Sequence, residues 1–333
     1  MARVAINGLG RIGRAVFKIV LDTPELELVA VNDTTDPEEL AYLIEYDTVY
    51  RHFDKQIKGT ENSLIVDGKE YKTFSNRNPE ELPWGDLDID IVFECTGAFT
   101  TREGLEKHLK GGAKHVLLSA PDKSGEVETV VLGVNQPPES ASMLSCASCT
   151  TNCISPVVEI MGRRVGIAKA IMTTIHAYTG SQGLVDGSSK KIRRGRAAAA
   201  NFVPTTTGAA IATTKVLPEY QGKFDGVAVR GPVPVGSIAD IIFVTEKNTS
   251  VEEINGIFKE EAESDRYRGI LSWSDDLIVS SDIIGNTHTS IVDLSMTTVV
   301  DGNLVKVMSW YDNEWGYSSQ MVRAAIEMVK KAA

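Results

Sequence analysis

Basic side chains are in short supply: lysine and arginine total 34 against 45 aspartates and glutamates, so the 333-residue chain carries a formal charge of −11. A general nucleic-acid binder needs clustered cations to displace counterions from phosphate, and this balance argues against one. Any anion site has to be local. Long apolar runs are missing as well, since no uninterrupted stretch reaches the roughly eighteen residues of a membrane-spanning helix. Cysteine is scarce: of the four residues at 95, 146, 149 and 153, three fall within eight residues, rather than spreading as a disulfide framework does. A reducing cytoplasm is the expected compartment. Met1-Ala2-Arg3-Val4-Ala5-Ile6 runs directly into a strand-like pattern with no signal-peptide character, and no repeat or low-complexity tract stands out.

What is present is ordinary globular composition, 42% hydrophobic and 24% charged, at a length that supports two cores of roughly 150 residues each. The first half alternates strands and helices. Val4-Ala5-Ile6 leads into Gly8-Leu9-Gly10-Arg11-Ile12-Gly13, and Arg14 to Leu21 is apolar at helical spacing. In a strand, glycine turn and helix of this kind, Gly8 permits the tight turn, Gly10 lets the backbone approach a pyrophosphate, and Gly13 permits close helix packing. A second β run, Leu28 to Val31, ends in Asn32-Asp33, which places an acid twenty residues after Gly13 for a ribose hydroxyl. Further β runs at 90–94, 115–118 and 129–132, with a helix over 102–110, give a mostly parallel sheet, and Asp67-Gly68 marks a hairpin beside it.

The second half reads differently. A helix follows Cys149 to about Met161, a strand covers 169–176, and residues 178–201 form a long polar loop. Strands at 226–230, 238–245, 289–294 and 304–310, with a helix over 251–263, suggest a largely antiparallel sheet backed by helices, and Asp301-Gly302 marks a hairpin within it. A C-terminal helix over 318–331 completes the pattern. The fold class expected is therefore α/β: a Rossmann-type, mostly parallel sheet domain over 1–148, an α+β catalytic domain over 149–315, and a helix over 316–333 packing back on the first.

Cys149 is the first candidate for chemistry. It sits among hydroxyl and amide groups in Ala147-Ser148-Cys149-Thr150-Thr151-Asn152-Cys153, at the start of a helix whose unpaired N–H groups favour a thiolate. His176, at the end of a β run, is the candidate base, able to stabilise the thiolate and move its proton. The bland alternative for His176 is a satisfied core histidine, and it is kept for His52, His108, His115 and His288. Downstream, Thr179, Lys190, Lys191, Arg193, Arg194, Arg196, Thr205 to Gly208 and Arg230 collect cations and hydroxyls suited to a phosphate, against the alternative of a solvated basic loop. Cys146, Cys149 and Cys153 invite a metal reading, but no second Cys-x-x-Cys completes a knuckle, so no metal is expected. Cys146 and Cys153 read as small buried side chains and Cys95 as core.

Six stretches carry a resemblance over essentially the whole chain: Ile6 to Arg14, Ala147 to Cys153, Thr173 to His176, Arg193 to Ala199, Pro204 to Ala210, and Trp310 to Tyr317. Together they resemble the phosphorylating glyceraldehyde-3-phosphate dehydrogenases. The resemblance implies oxidation of D-glyceraldehyde 3-phosphate to 1,3-bisphosphoglycerate with inorganic phosphate and NAD, NADP being possible, through a thiohemiacetal and an acyl thioester on Cys149 with His176 as base. It implies that Thr179, Arg194 and Arg230 hold the substrate phosphate, and that Ser148, Thr150, Thr207 and Gly208 surround the attacking one. Gly8, Gly10, Arg11, Ile12, Gly13, Asp33, Thr34, Arg77, Ser119, Ser188, Asn313 and Tyr317 are implied along the cofactor. A cytoplasmic homotetramer, with the 178–201 loop crossing to a neighbour, is implied too, and no nucleic-acid or membrane partner.

The chain departs from the family pattern at Cys146, at Gly180-Ser181-Gln182, and at Gly231, Val235 and Gly236. Gly187-Ser188 in the loop, together with Thr34, resembles the members that accept NADP, since both hydroxyls can donate to a 2′-phosphate while Asp33 repels it. Erythrose-4-phosphate dehydrogenase is the alternative activity; it usually lacks the run seen at Thr206 to Ala210. A non-enzymatic binding role and a metal-binding redox module are the other classes weighed.

Overall fold

The computed structural model describes residues 1–332. Two compact units appear. The first comprises Met1–Val130, Gln136–Ala147 and the chain from Ser318 on; the second comprises Val131–Asn135 and Ser148–Tyr317.

The first unit is built on a nine-stranded sheet in the order 128–129, 143–145, 115–118, 91–94, 2–7, 26–32, 69–74, 63–66 and 57–60. Its pairs are parallel from Glu128–Thr129 across to Lys69–Phe74, and antiparallel only in the hairpin strands Ile57–Thr60, Ser63–Val66 and Lys69–Phe74. The hairpin turns at Asp67 and Gly68, both with positive φ, as an Asp-Gly turn requires. Ala5, Ala30, Trp84, Ile89, Val92 and Ala113 form a core cluster on this sheet. Helix Arg11–Leu21 packs Ala15, Val16, Phe17 and Val20 inward and starts at Gly10 with no side-chain cap. Gly13 is required by space: a Cβ there would fall 1.9 Å from the Gly8 carbonyl oxygen.

The expected strand over 129–132 shrinks to Glu128–Thr129. The reason is local: Val131 N–H donates to the Asn135 side chain at 2.8 Å, and Val134 N–H to Val131 O at 3.0 Å, so the apolar run bends into a turn. Helix Pro37–Glu45 was not anticipated, although Asp36 caps it through Glu38 N–H and Pro37 occupies its first position.

The second unit carries a seven-stranded sheet in the order 203–206, 224–231, 167–177, 237–245, 304–311, 290–300 and 271–274. It is largely antiparallel, with parallel pairs only between Ile167–Ala177 and Phe224–Gly231 and between Leu271–Ser274 and Ser290–Val300. Helix Cys149–Arg164 buries Ile154, Val157, Val158, Ile160 and Met161, each side chain contributing roughly 1.5–3 kcal/mol. That burial carries the helix past Pro156, which lacks the N–H for an intrahelical bond. Residues 178–201 form an extended loop whose only regular pieces are the short 3-10 turns Ile192–Gly195 and Ala198–Ala200. The last helix runs Trp315–Ala332; residue 333, the end of the helix expected over 316–333, lies outside the described residues. No helix among the described residues is long and apolar enough to cross a membrane.

Candidate active site

Cys149 opens its helix. The chain enters through Ala147 in the left-handed region (φ 53°), and Ser148 then caps the helix, its Oγ accepting Thr151 N–H at 3.1 Å. With the first turn tied down in this way, Cys149 Sγ lies 3.3 Å from His176 Nε2. His176 comes from the strand Ile167–Ala177, whose parallel partner Phe224–Gly231 places Arg230 directly opposite it. The Val203–Thr206 strand pairs with the Arg230 strand on its other side, with Val203 opposite Arg230. Thr205 Oγ1 accepts from Arg194 Nε at 2.9 Å, and Thr206 O from Arg194 Nη2 at 3.1 Å. Two guanidinium groups thereby act on one imidazole, for both Arg230 and Arg194 disfavour a charged His176.

The electrostatics differ from the helix-terminus expectation. Burial raises the Cys149 thiol, and the Arg230 charge pulls the other way without prevailing. Burial, followed by Arg230 and Arg194, lowers His176 to about 3. In the free chain the pair is therefore a neutral thiol beside a neutral imidazole. His176 Nδ1 lies 2.7 Å from Ala177 O, and Arg230 Nη1 lies 2.8 Å from the same oxygen and 2.7 Å from Nδ1. A carbonyl has lone pairs for both donors. With its proton on Nδ1, the ring turns a bare Nε2 toward the thiol, the geometry of a base about to accept.

Tyr311, which sequence reasoning named only as part of a motif, supports the pair. It is almost fully buried, its hydroxyl meets Thr150 Oγ1 at 3.0 Å and Thr174 Oγ1 at 2.8 Å, and its ring stands edge-on to His176 at 5.9 Å. Its one sequence signal was a hydroxyl-bearing aromatic at a strand end, two residues before Asn313. Ser237 was missed too: its Oγ accepts Ala177 N–H at 3.1 Å and donates to Asn313 Oδ1 at 2.8 Å. Gly236 N–H also donates to Asn313 Oδ1, which fixes that amide with its oxygen inward. Gly236 has φ 91°, and a Cβ there would fall 2.3 Å from the Ser280 carbonyl oxygen.

The remaining expected phosphate residues are placed less tightly. Thr207 Oγ1 accepts Ala209 N–H at 3.1 Å, Gly208 caps helix Ala209–Val216 with open space around it, and Thr179 Oγ1 meets Ser181 Oγ at 2.9 Å. Ser188 is exposed in the 178–201 loop, and Tyr317 is buried. Of the other cysteines, Cys146 and Cys153 are buried with thiols pushed up to about 12, whereas Cys95, expected in the core, is only partly covered. No metal-capable cluster of three or more side chains occurs among the described residues.

In the first unit, the turn from Gly8 to Gly13 has the features a dinucleotide needs. Gly10 heads an uncapped helix with nothing within 4 Å of where its Cβ would stand, so backbone N–H groups and open space coincide. Asp33 closes the far side, its Oδ2 accepting Leu9 N–H at 2.6 Å and its Oδ1 Thr35 N–H at 2.9 Å. Thr34, next in sequence, is exposed, as is Arg77, three residues past Phe74, whose carbonyl accepts Asp33 N–H at 3.0 Å; Arg11 Nη1 bonds Asp47 at 2.6 Å, and Ser119 N–H donates to Glu94 O at 3.0 Å. The donor set fits NAD.

Comparison with known proteins agrees. Residues 2–102 match the NAD binding domain of glyceraldehyde 3-phosphate dehydrogenase, and residues 148–313 match its C-terminal domain. The glyceraldehyde-3-phosphate dehydrogenase of Thermotoga maritima is 52% identical over 327 residues, covering 97% of each chain. That of Geobacillus stearothermophilus is 46% identical over 332 residues, covering 99% of this chain and 98% of its own. Glyceraldehyde-3-phosphate dehydrogenase 2 of Synechocystis is 47% identical over 336 residues, covering 99% of each. An NAD-binding unit, a cysteine–histidine pair and full-length likeness to these enzymes point to one conclusion: the chain belongs to the glyceraldehyde-3-phosphate dehydrogenase family.

Proposed function

We propose that the chain oxidises D-glyceraldehyde 3-phosphate to 1,3-bisphosphoglycerate with inorganic phosphate, through an acyl group carried on Cys149. The observation that carries this reading is the 3.3 Å approach of Cys149 Sγ to His176 Nε2 beside the charges of Arg230 and Arg194. Sγ attacks the aldehyde carbon while Nε2 takes the thiol proton and passes it to the former carbonyl oxygen, giving a thiohemiacetal. NAD, when bound, supplies the two-electron acceptor that turns this adduct into a thioester. Inorganic phosphate then displaces Sγ, releasing the acyl phosphate and the free thiol.

Arg194, Arg230 and Thr179 hold the substrate's own phosphate in this reading, and Ser148, Thr150, Thr207 and Gly208 the attacking one. Asn313 presents its amide nitrogen to the nicotinamide carboxamide, because its oxygen is already taken by Gly236 and Ser237. Residues 1–148 act as the dinucleotide domain with the 316–333 helix, and residues 149–315 as the catalytic domain. Leu184, Val185, Ile192 and Phe202 are strongly exposed apolar side chains in and beside the long loop, which supports its being covered by another subunit in a homotetramer. All four cysteines are free, in keeping with a cytoplasmic setting.

Both nicotinamides work, with NAD at least competitive. The Thr34 and Ser188 hydroxyls are exposed and able to donate to a 2′-phosphate, and two N–H groups partly offset the Asp33 charge that opposes it. The test is a phosphate-dependent assay with glyceraldehyde 3-phosphate and each cofactor, on the native chain and Cys149→Ser. Activity that needs phosphate and vanishes in Cys149→Ser supports the reading, and unchanged mutant activity overturns it. A thousandfold NAD preference in kcat/KM would overturn the dual-cofactor part alone.

A further inference from the structure

A line of buried polar side chains runs beneath the glycine turn, and the chemistry above makes no use of it. Trp84, His108, Glu94, Asn7 and Asn32 are all buried. Trp84 Nε1 donates to His108 Nδ1 at 3.1 Å, and His108 Nε2 meets Glu94 Oε2 at 3.0 Å. Asn7 Nδ2 donates to the same Glu94 oxygen at 2.6 Å, Asn32 Nδ2 donates to Asn7 Oδ1 at 2.6 Å, and Asn76 N–H donates to Asn32 Oδ1 at 2.9 Å.

The direction of every bond is set by chemistry. An indole N–H only donates, so His108 Nδ1 is bare and Nε2 carries the proton. A carboxylate accepts, so His108 and Asn7 both give to Glu94. Asn7 must then turn its oxygen to Asn32, and Asn32 its oxygen to Asn76. No member can flip without setting donor against donor.

Glu94 is the hub, because its other oxygen accepts from both the N–H (2.8 Å) and the hydroxyl of Thr96. Thr96 is the wall behind the turn: a Cβ on Gly8 would fall 2.8 Å from Thr96 Cα. On the opposite side, Asn32 O accepts Gly8 N–H at 2.8 Å, and the next residue, Asp33, accepts Leu9 N–H. One carboxylate therefore reaches both sides of Gly8-Leu9, through Thr96 and through Asn7-Asn32.

We propose that Glu94 is a positioning residue for NAD, holding the glycine turn and Asp33 in the geometry that receives the dinucleotide before it arrives. Satisfied buried networks fix one arrangement, and a site ordered in advance loses less freedom on binding. The proposal rests on the reading of this turn as the NAD site.

Glu94→Gln tests it with little change of size. In either amide orientation the new nitrogen faces a donor, Thr96 N–H on one side or Asn7 and His108 on the other. Calorimetric titration of the apoenzyme with NAD is expected to show Kd raised tenfold or more. KM for NAD should rise in parallel, with kcat at saturating NAD within about twofold of native. Leu64→Ala, a buried change in the Ser63–Val66 strand away from the network, should lower Tm while leaving the NAD Kd unchanged. Asn7→Ala, which cuts one arm, should raise Kd at least threefold and stands in if Glu94→Gln does not fold. An NAD Kd within twofold of native in the folded variants overturns the proposal, as does an equal rise in Leu64→Ala. A native chain that takes up no NAD overturns the cofactor reading and the proposal with it.

Discussion

Arg230 places Nη1 2.7 Å from Nδ1 of His176, on the ring edge opposite the one that meets Cys149. The positive charge of Arg230 beside the ring opposes a doubly protonated imidazole. The residue proposed above to draw the anionic substrate thus also disfavours the charged form of His176. On the proposed mechanism, a phosphate dianion at Arg230 would offset its charge and make an imidazolium on His176 less costly as the thiol proton moves.

Arg230→Gln separates the two roles. Removal of a charge-assisted phosphate contact worth about 1.5–3 kcal/mol should raise KM for glyceraldehyde 3-phosphate roughly tenfold to a hundredfold. His176 should also titrate higher than in the native chain, because one of the groups lowering it is gone. NMR titration of the His176 ring in native and variant chains reads this directly; an unmoved midpoint would argue against the electrostatic link.

Native His176 titrates at about 3, whereas an unfolded histidine titrates near 6.5. Between these values the unfolded chain binds a proton that the folded chain refuses. Stability contributed by this group is present above about pH 6.5 and is lost as pH falls toward 3, by up to about 1.4 kcal/mol per pH unit. Denaturant melts at pH 7 and pH 5 should show a smaller loss in His176→Asn than in the native chain, and parallel losses would contradict the assignment.

His176→Asn also removes the base. Steady-state kcat at neutral pH is expected to fall by about 10²–10⁴, the usual contribution of a positioned general base. Iodoacetamide alkylation of Cys149 in the same variant distinguishes a lost base from a displaced thiol, since the site stays accessible while turnover collapses.

Tyr311→Phe leaves the Thr150 and Thr174 hydroxyls without their shared buried partner. The expected cost is about 1–3 kcal/mol, read as a lower denaturation midpoint with an unchanged slope. Thr150 follows Cys149, so a fall in kcat is expected alongside. A neutral substitution would show that the hydroxyl triad does not support the site.

Much of this architecture was legible where sequence-local rules govern it. Gly8-Leu9-Gly10 between a β run and an amphipathic helix announced the first unit, and Asp67-Gly68 and Asp301-Gly302, four residues with positive φ, announced their hairpins. Val130-Val131-Leu132 misled because a β-prone run says nothing of Asn135, whose side chain captures Val131 N–H. Cys149 and His176 were legible as a possible pair, but the direction of the Cys149 shift was not. A helix terminus is visible in sequence, whereas the burial that outweighs it comes from packing. Tyr311 stayed hidden for a similar reason: its partners lie 161 and 137 residues away, and only the folded sheet and helix bring the three hydroxyls together.

The proposed acyl group on Cys149 is most directly tested by mixing the native chain rapidly with glyceraldehyde 3-phosphate and NAD in the absence of phosphate, then adding phosphate. A burst of about one NADH per active site is expected, then a stall with a thioester on Cys149 detectable by intact mass, and steady turnover once phosphate is supplied. Sustained turnover without phosphate, or a full burst in Cys149→Ser, would contradict it.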